Sequence, residues 1–179
     1  PRLSFAREGV EKAIAFGAEL ILAVGGGSAI DTAKGIAIGA ANPGTDIWEF
    51  WKNKKELKTA LPVGTVLTIS AAGSEMSNSA VLTDEETQDK SGIGSDLIRP
   101  KFAIMNPELT YTIPKYQLTC GIVDIFMHTI ERYFTPVHGN ELTDEIAEGL
   151  MRTLVRNAAK AYENQKDYDA MSEIMWCGS

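Results

Sequence analysis

The chain has 179 residues, 44% of them hydrophobic and 23% charged, with 17 Lys and Arg against 24 Asp and Glu for a formal charge of −7. That balance excludes nucleic-acid binders that displace counterions from phosphates with clustered Lys and Arg, and no apolar run approaches the ~18 residues needed to span a bilayer. Two widely separated cysteines, Cys120 and Cys177, make neither a disulfide framework nor a CxxC metal pattern, so a reducing, cytoplasmic setting is the natural reading.

The opening residues predict a helix with Val10, Ala13, Ile14 and Gly17 along one side. Glu19 to Val24 is then a largely apolar run ending in Gly25-Gly26-Gly27, which reads as a buried strand of a parallel sheet. Ser28 to Ala41 predicts a second helix, stopped by Asn42-Pro43-Gly44. The basic cluster Lys52 to Lys58, interrupted by Asn53, Glu56 and Leu57, reads as a solvated loop. Val63 to Ser70 is a second buried strand, Ala80 to Thr83 a short one, and Lys101 to Met105 a third apolar run between prolines. After Pro114 the texture changes: residues 115–134, 141–163 and 168–176 carry helical periodicity without β-branched runs. The expectation is an α/β part over residues 1–110 and an all-α part over residues 111–179. The first residue, Pro1, and an end within an amphipathic stretch read as an internal piece of a longer protein.

The glycine turn is the first feature that points to chemistry. Gly25-Gly26-Gly27-Ser28 stands where a strand passes into a helix, and glycine there lets backbone N–H groups approach an anion at the positive end of the helix. It matches neither GxGxxG, since Ile30 stands at the last glycine, nor a P-loop. A tight turn capped by Ser28, with Asp31 three residues on, is the structural alternative. A second small-residue loop, Thr68 to Glu75, also follows a buried strand directly. Ligands of open α/β sheets lie at such strand ends, which favours a nucleotide site.

Asp124 and His128 are four residues apart on a predicted helix and project from one face, where carboxylate and imidazole suit a divalent cation. A helix-stabilising pair is the alternative. Leaving such a pair buried without a metal is costly, which weighs against a purely structural role. Cys120, one turn earlier, is either a third ligand or a small core hydrophobe. His138 sits in a Pro/Gly loop and reads as exposed.

GGGSAIDTAK (Gly25 to Lys34), AGSE (Ala72 to Glu75), PKFAIMNPELTYTIP (Pro100 to Pro114) and GIVDIFMHTIE (Gly121 to Glu131) occur in an order and spacing that resemble the iron-containing, or group III, alcohol dehydrogenases. The butanol dehydrogenase branch is the nearest in look. The resemblance runs over essentially the whole chain. It implies an α/β Rossmann-like nucleotide-binding domain followed by an all-α metal-binding domain, the dehydroquinate synthase-like fold, with both domains only partly represented. By that resemblance Gly26, Gly27 and Ser28 cradle the pyrophosphate of NAD or NADP. Asp31 faces the cofactor or substrate cleft, and Thr68, Ser70, Ser74 and Lys90 continue the cofactor wall. The family loop commonly reads TTAGTGSE; Ile69 and Ala72 here replace two hydroxyl residues.

Asp124 and His128 match two of four ligands of a divalent metal, Fe2+ or Zn2+, and act in catalysis through it. The other two ligands are histidines expected farther along the helical domain. The implied reaction is reversible oxidation of small primary alcohols such as butanol by a cytoplasmic homodimer with no nucleic-acid or membrane partner. Two alternatives share the features. One is an enzyme of the dehydroquinate synthase or glycerol dehydrogenase type. A dehydroquinate synthase would need a basic grip on an acidic substrate, whereas the helical part offers mainly Lys115, Arg132, Arg152 and Arg156, and the metal helix presents Ile122, Val123, Ile125 and Phe126. The other is a fragment without catalysis of its own.

Overall fold

The computed structural model describes residues 1–136 and 139–179, and His138 lies outside the described residues. The chain divides into two compact units, one of residues 1–67 and 74–104, the other of residues 68–73 and 105–179. The second unit therefore reaches back to take in a six-residue loop that chain order assigns to the first.

In the first unit, α1 (Leu3–Phe16) leads to β1 (Ile21–Gly25), α2 (Gly27–Ala41), the single turn α3 (Trp48–Trp51) and β2 (Val63–Leu67). The antiparallel pair β3 (Ser79–Asp84) and β4 (Asp89–Gly94) and the short β5 (Phe102–Ile104) follow. The α1 stripe differs from the expected one. Leu3, Ala6 and Ala13 are buried with Val10 beside them, while Ile14 is exposed and Gly17 ends the helix in a left-handed conformation, φ 69°. Strands β1, β2 and β5 form a parallel sheet in the order β1-β2-β5, with Leu22 beside Gly64 and Phe102, and Val24 beside Val66 and Ile104.

The sheet is not buried on both faces as the apolar runs implied. Ala23 and Thr65 are enclosed on the side packed by α2, whereas Leu22, Val24, Phe102 and Ile104 on the other side remain 45–61% exposed. Side chains alternate across the pleat, so each strand sends half of its apolar residues to each face.

The expected short strand at Ala80 to Thr83 is β3, and it pairs with β4 in a separate two-stranded sheet, Ala80 opposite Ile93 and Leu82 opposite Ser91. The hairpin contributes Ala80 and Leu82 to a core shared with Leu3, Ala6, Ile38, Ile47, Phe50 and Trp51. Lys52 is not part of a solvated loop: its ammonium pairs with Asp89, donates to Ser91 Oγ at 3.1 Å and lies 5.0 Å from the Trp48 ring, tying α3 to β4.

The second unit holds α4 (Lys115–Tyr133), α5 (Glu141–Glu163) and α6 (Tyr168–Cys177) around Leu118, Ile125, Leu154, Ala161, Ala170, Met171 and Ile174. Asp167 starts α6 by accepting the Ala170 N–H at 3.0 Å, and Gln165 donates to the Thr110 and Ile113 carbonyls ahead of α4. The side chain of Leu82 is fully enclosed where α1, α2 and the hairpin meet. Its truncation, Leu82→Ala, is expected to cost about 2–5 kcal/mol. Urea denaturation checks this, and a loss below about 1 kcal/mol would show that the hairpin contributes little to this core.

Candidate functional site

Helix α2 begins at Gly27, with Gly26 in extended conformation before it and no side chain capping the end. The Ala29 and Ile30 amides already bond to the Gly26 carbonyl, at 3.0 and 3.1 Å. The earlier amides of the first turn stand at the positive end of a 15-residue helix. Ser28 is therefore not the N-cap that the turn alternative required; it lies within the first turn. Its capping partner is absent as well, because the Asp31 carboxylate accepts the Val81 N–H of β3 at 3.0 Å.

Asp31 is thus directed to the hairpin and is only 9% exposed. Burial pushes its carboxyl above the ordinary carboxylate range, opposed by the Val81 N–H, the Lys34 ammonium and the Ser74 hydroxyl. One of its oxygens, Oδ1, has no hydrogen-bond partner.

Sequence reasoning passed over Lys34, which is fully buried. Its Nζ donates to the Ser74 carbonyl at 2.7 Å, the Ser79 carbonyl at 2.7 Å, and the Ser77 carbonyl and hydroxyl at 2.9 and 3.1 Å. Burial draws its pKa down to about 8, against the pull of Asp31 and Glu75 and with the help of Arg99. The available signal was a single cation within the apolar run Ala33 to Ala41, where a long polar side chain must find buried acceptors.

Ser74 meets the glycine turn directly. A Cβ on Gly27 would lie 3.1 Å from Ser74 Oγ, so glycine at position 27 keeps the two segments in close approach. Gly26, Gly27, Ser28 and Ser74 therefore gather at one helix end. Lys90 stands elsewhere, exposed on β4 opposite Thr83, in a different sheet from the one whose strand end carries the turn.

Thr68 and Ser70 belong to the helical unit. Their loop packs on α4 and on the end of α6: a Cβ on Gly121 would lie 2.3 Å from the Ser70 carbonyl oxygen, and one on Gly178 would lie 3.1 Å from that of Ala71. Gly121 is one turn before Asp124.

On α4, His128 Nε2 lies 3.7 Å from Asp124 Oδ1, and both side chains are nearly half exposed. His128 Nδ1 is 3.9 Å from Glu131 Oε2. The pair is open to solvent, so the penalty for burying it without a metal does not arise. Two ligands each about 2.1 Å from one tetrahedral cation stand about 3.4 Å apart, close to the spacing found. The donors present therefore fit two positions of a divalent-cation site. Among the described residues no group of three His, Cys, Asp or Glu side chains is arranged to hold a metal.

Cys120 is exposed rather than in the core, and with Tyr116, Thr119, Val123, Asp124 and Met127 it lines a concavity of about 320 Å³. Ile125 is enclosed in the helical core with Ile122 and Phe126 against it. The apolar surface beside Asp124 therefore comes from Tyr116, Val123 and Met127, not from the expected Ile122, Ile125 and Phe126. Of the basic residues weighed earlier, Lys115 donates to the Tyr162 carbonyl at 2.9 Å and Arg152 to Glu148 at 2.9 Å.

A family model described as iron-containing alcohol dehydrogenase matches residues 1–107, and one for the C-terminal part of the Fe-containing alcohol dehydrogenase family matches residues 119–179. The chain belongs to the iron-containing alcohol dehydrogenase family. It is 41% identical over 179 residues to NADH-dependent butanol dehydrogenase A of Clostridium acetobutylicum, covering 100% of this chain and 46% of that protein. It is 40% identical over 161 residues to the NADPH-dependent aldehyde reductase YqhD of Escherichia coli, covering 89% and 42%. A crystal structure of NADH-dependent butanol dehydrogenase A from Thermotoga maritima superposes with a TM-score of 0.95 at 40% identity, covering 99% of this chain and 44% of that one. The chain spans about half the length of the curated relatives it matches, 46% in the first case.

Because the obstacle at Gly121 is a backbone oxygen, the variant Gly121→Ala is expected to displace the 68–73 loop at a cost of about 1–3 kcal/mol. Amide exchange is expected to quicken in residues 68–73 and to stay unchanged in α2. Unaltered exchange in that loop would contradict the packing described.

Proposed function

We propose that the full-length protein is an NAD- or NADP-dependent, metal-dependent alcohol dehydrogenase and aldehyde reductase acting on small primary alcohols such as butanol. The carrying observation is the pair Asp124 and His128, 3.7 Å apart on the open face of α4. The names of the Clostridium and Escherichia relatives, a butanol dehydrogenase and an aldehyde reductase, support the substrate class. The apolar side chains of Tyr116, Val123 and Met127 beside Asp124 suit a short alkyl chain better than an acidic sugar.

Gly26, Gly27 and Ser28 would offer backbone N–H groups to the cofactor pyrophosphate, and Ser74 a hydroxyl at the same helix end. Thr68, Ser70 and Lys90 are proposed to extend the cofactor wall, and Asp31 to act on it through the segment it holds. A divalent cation, Fe2+ or Zn2+, held in part by Asp124 and His128, would supply Lewis-acid polarisation of the substrate oxygen, and the nicotinamide would carry the hydride. The carboxylate of Asp124 supplies negative charge to such a cation. His128 would bind one through a ring nitrogen.

We further propose a cytoplasmic homodimer, as the family resemblance implies. Light scattering on the full-length protein tests the dimer.

Oxidation of NADH or NADPH with butanal, followed at 340 nm, is expected for the full-length protein, with no turnover of a phosphorylated sugar acid. Asp124→Ala is expected to lower kcat/KM by at least about 100-fold together with bound metal. Wild-type kinetics in that variant would overturn the assignment.

A further inference from the structure

We propose that Lys34 is a positioning residue for the dinucleotide site: its buried ammonium fixes the course of the Ser74–Ser79 segment and so holds Ser74 beside Gly27 at the start of α2. The inference rests on the reading above that a nicotinamide dinucleotide binds at this helix end.

Lys34 is 0% exposed, so it touches no ligand and acts only through what it holds. An ammonium has three protons. They are matched by the Ser74 and Ser79 carbonyls, each at 2.7 Å, and by Ser77, whose carbonyl and hydroxyl share the third. Every donor is used on a stretch of six residues that has no helix and joins a sheet only at Ser79. Helix α2 thus carries at one end the amides that face the anion. Two turns later it carries the cation that fixes the segment packed against them.

Asp31, on the same helix, holds the continuation of that segment through the Val81 N–H. A neutral amine donates only two hydrogen bonds, and methionine in its place donates none and leaves three part-buried carbonyls without their donor. In either case the first contact to relax is Ser74, the end of the segment nearest Gly27.

The groups that set the charge state of Lys34 are Asp31 on α2, Glu75 in the held segment and Arg99 beyond the hairpin. An anionic pyrophosphate at the start of α2 adds to the pull of Asp31 and Glu75. Binding of the dinucleotide therefore favours the protonated form and weakens as pH rises above about 8.

The test is a fluorescence titration of the full-length protein with NADH and with NADPH in metal-free buffer, which reads binding independently of turnover. Lys34→Met is expected to raise the Kd of the preferred cofactor at least about tenfold. Its kcat in metal-loaded protein at saturating cofactor is expected to stay within about threefold of wild type. A folded Lys34→Met with wild-type Kd overturns the positioning role and leaves the proposed function standing.

Should that variant fail to fold, the decision passes to the wild-type protein between pH 7 and 10. The Kd is expected to rise with a midpoint above about 8, and Asp31→Asn to move that midpoint to lower pH. A Kd that is flat with pH overturns the proposal. A wild-type protein that binds neither cofactor overturns the dinucleotide reading itself, and this inference with it.

Discussion

The α/β unit is organised around an ammonium group that has no access to water. Lys34 must find all its hydrogen-bond acceptors inside the protein, and it finds them on Ser74, Ser77 and Ser79. Satisfying that one cation fixes where the chain runs after β2. The segment enters β3, Asp31 fastens Val81, and the hairpin then places Ala80 and Leu82 in the core with α1 and α3. Burial works against both charged forms, raising Asp31 and lowering Lys34. The unfavourable contribution of Lys34 to folding is present below about pH 8 and is relieved as pH rises towards its ordinary value of 10.5. Stability is therefore not the reason for the pair. What it provides is a single arrangement of the loop at the helix end.

The two units carry different halves of the proposed chemistry. In the first, the amides at the start of α2, which no side chain caps, would offer an anion positive electrostatic character. In the second, α4 carries Asp124 and His128 on its open face and Leu118 and Ile125 on its packed face, so helix packing fixes the rotation at which the pair faces outward. Gly121 completes this arrangement by admitting the 68–73 loop against α4. The chain passes from one unit to the other here: Thr68 and Ser70 belong to the unit of α4, while Ser74, a few residues on, belongs to the unit of the glycine turn.

Most of the elements were legible in the chain because punctuation and periodicity agreed. Asn42-Pro43-Gly44 and Pro114 bound helices whose limits fall within one or two residues of expectation. Strand β4 was not legible: Asp89-Lys90-Ser91-Gly92-Ile93-Gly94 has one large apolar residue and two glycines, and only its pairing with β3 makes it a strand. The exposed sheet face was missed because an apolar run does not show how many faces are covered.

At the site, the glycine turn and the Asp/His pair stand out as local spacings, and their reading as cofactor and metal residues comes from the family resemblance. Lys34 could not be read so, since its acceptors lie 40 to 45 residues away in sequence and all but the Ser77 hydroxyl are backbone atoms. The family resemblance implies that Asp31 faces the cofactor or substrate cleft. Its bond to Val81 depends on a hairpin placed 50 residues later.

The central claim is that the start of α2, with Ser74 held beside it, is where a dinucleotide anion rests. A crystal structure of the full-length protein with NADH or NADPH tests it most directly. The pyrophosphate is expected within hydrogen-bond distance of the Gly27 or Ser28 amide, with Lys34 still bonded to the Ser74 and Ser79 carbonyls. A cofactor whose pyrophosphate lies away from that helix end would contradict it.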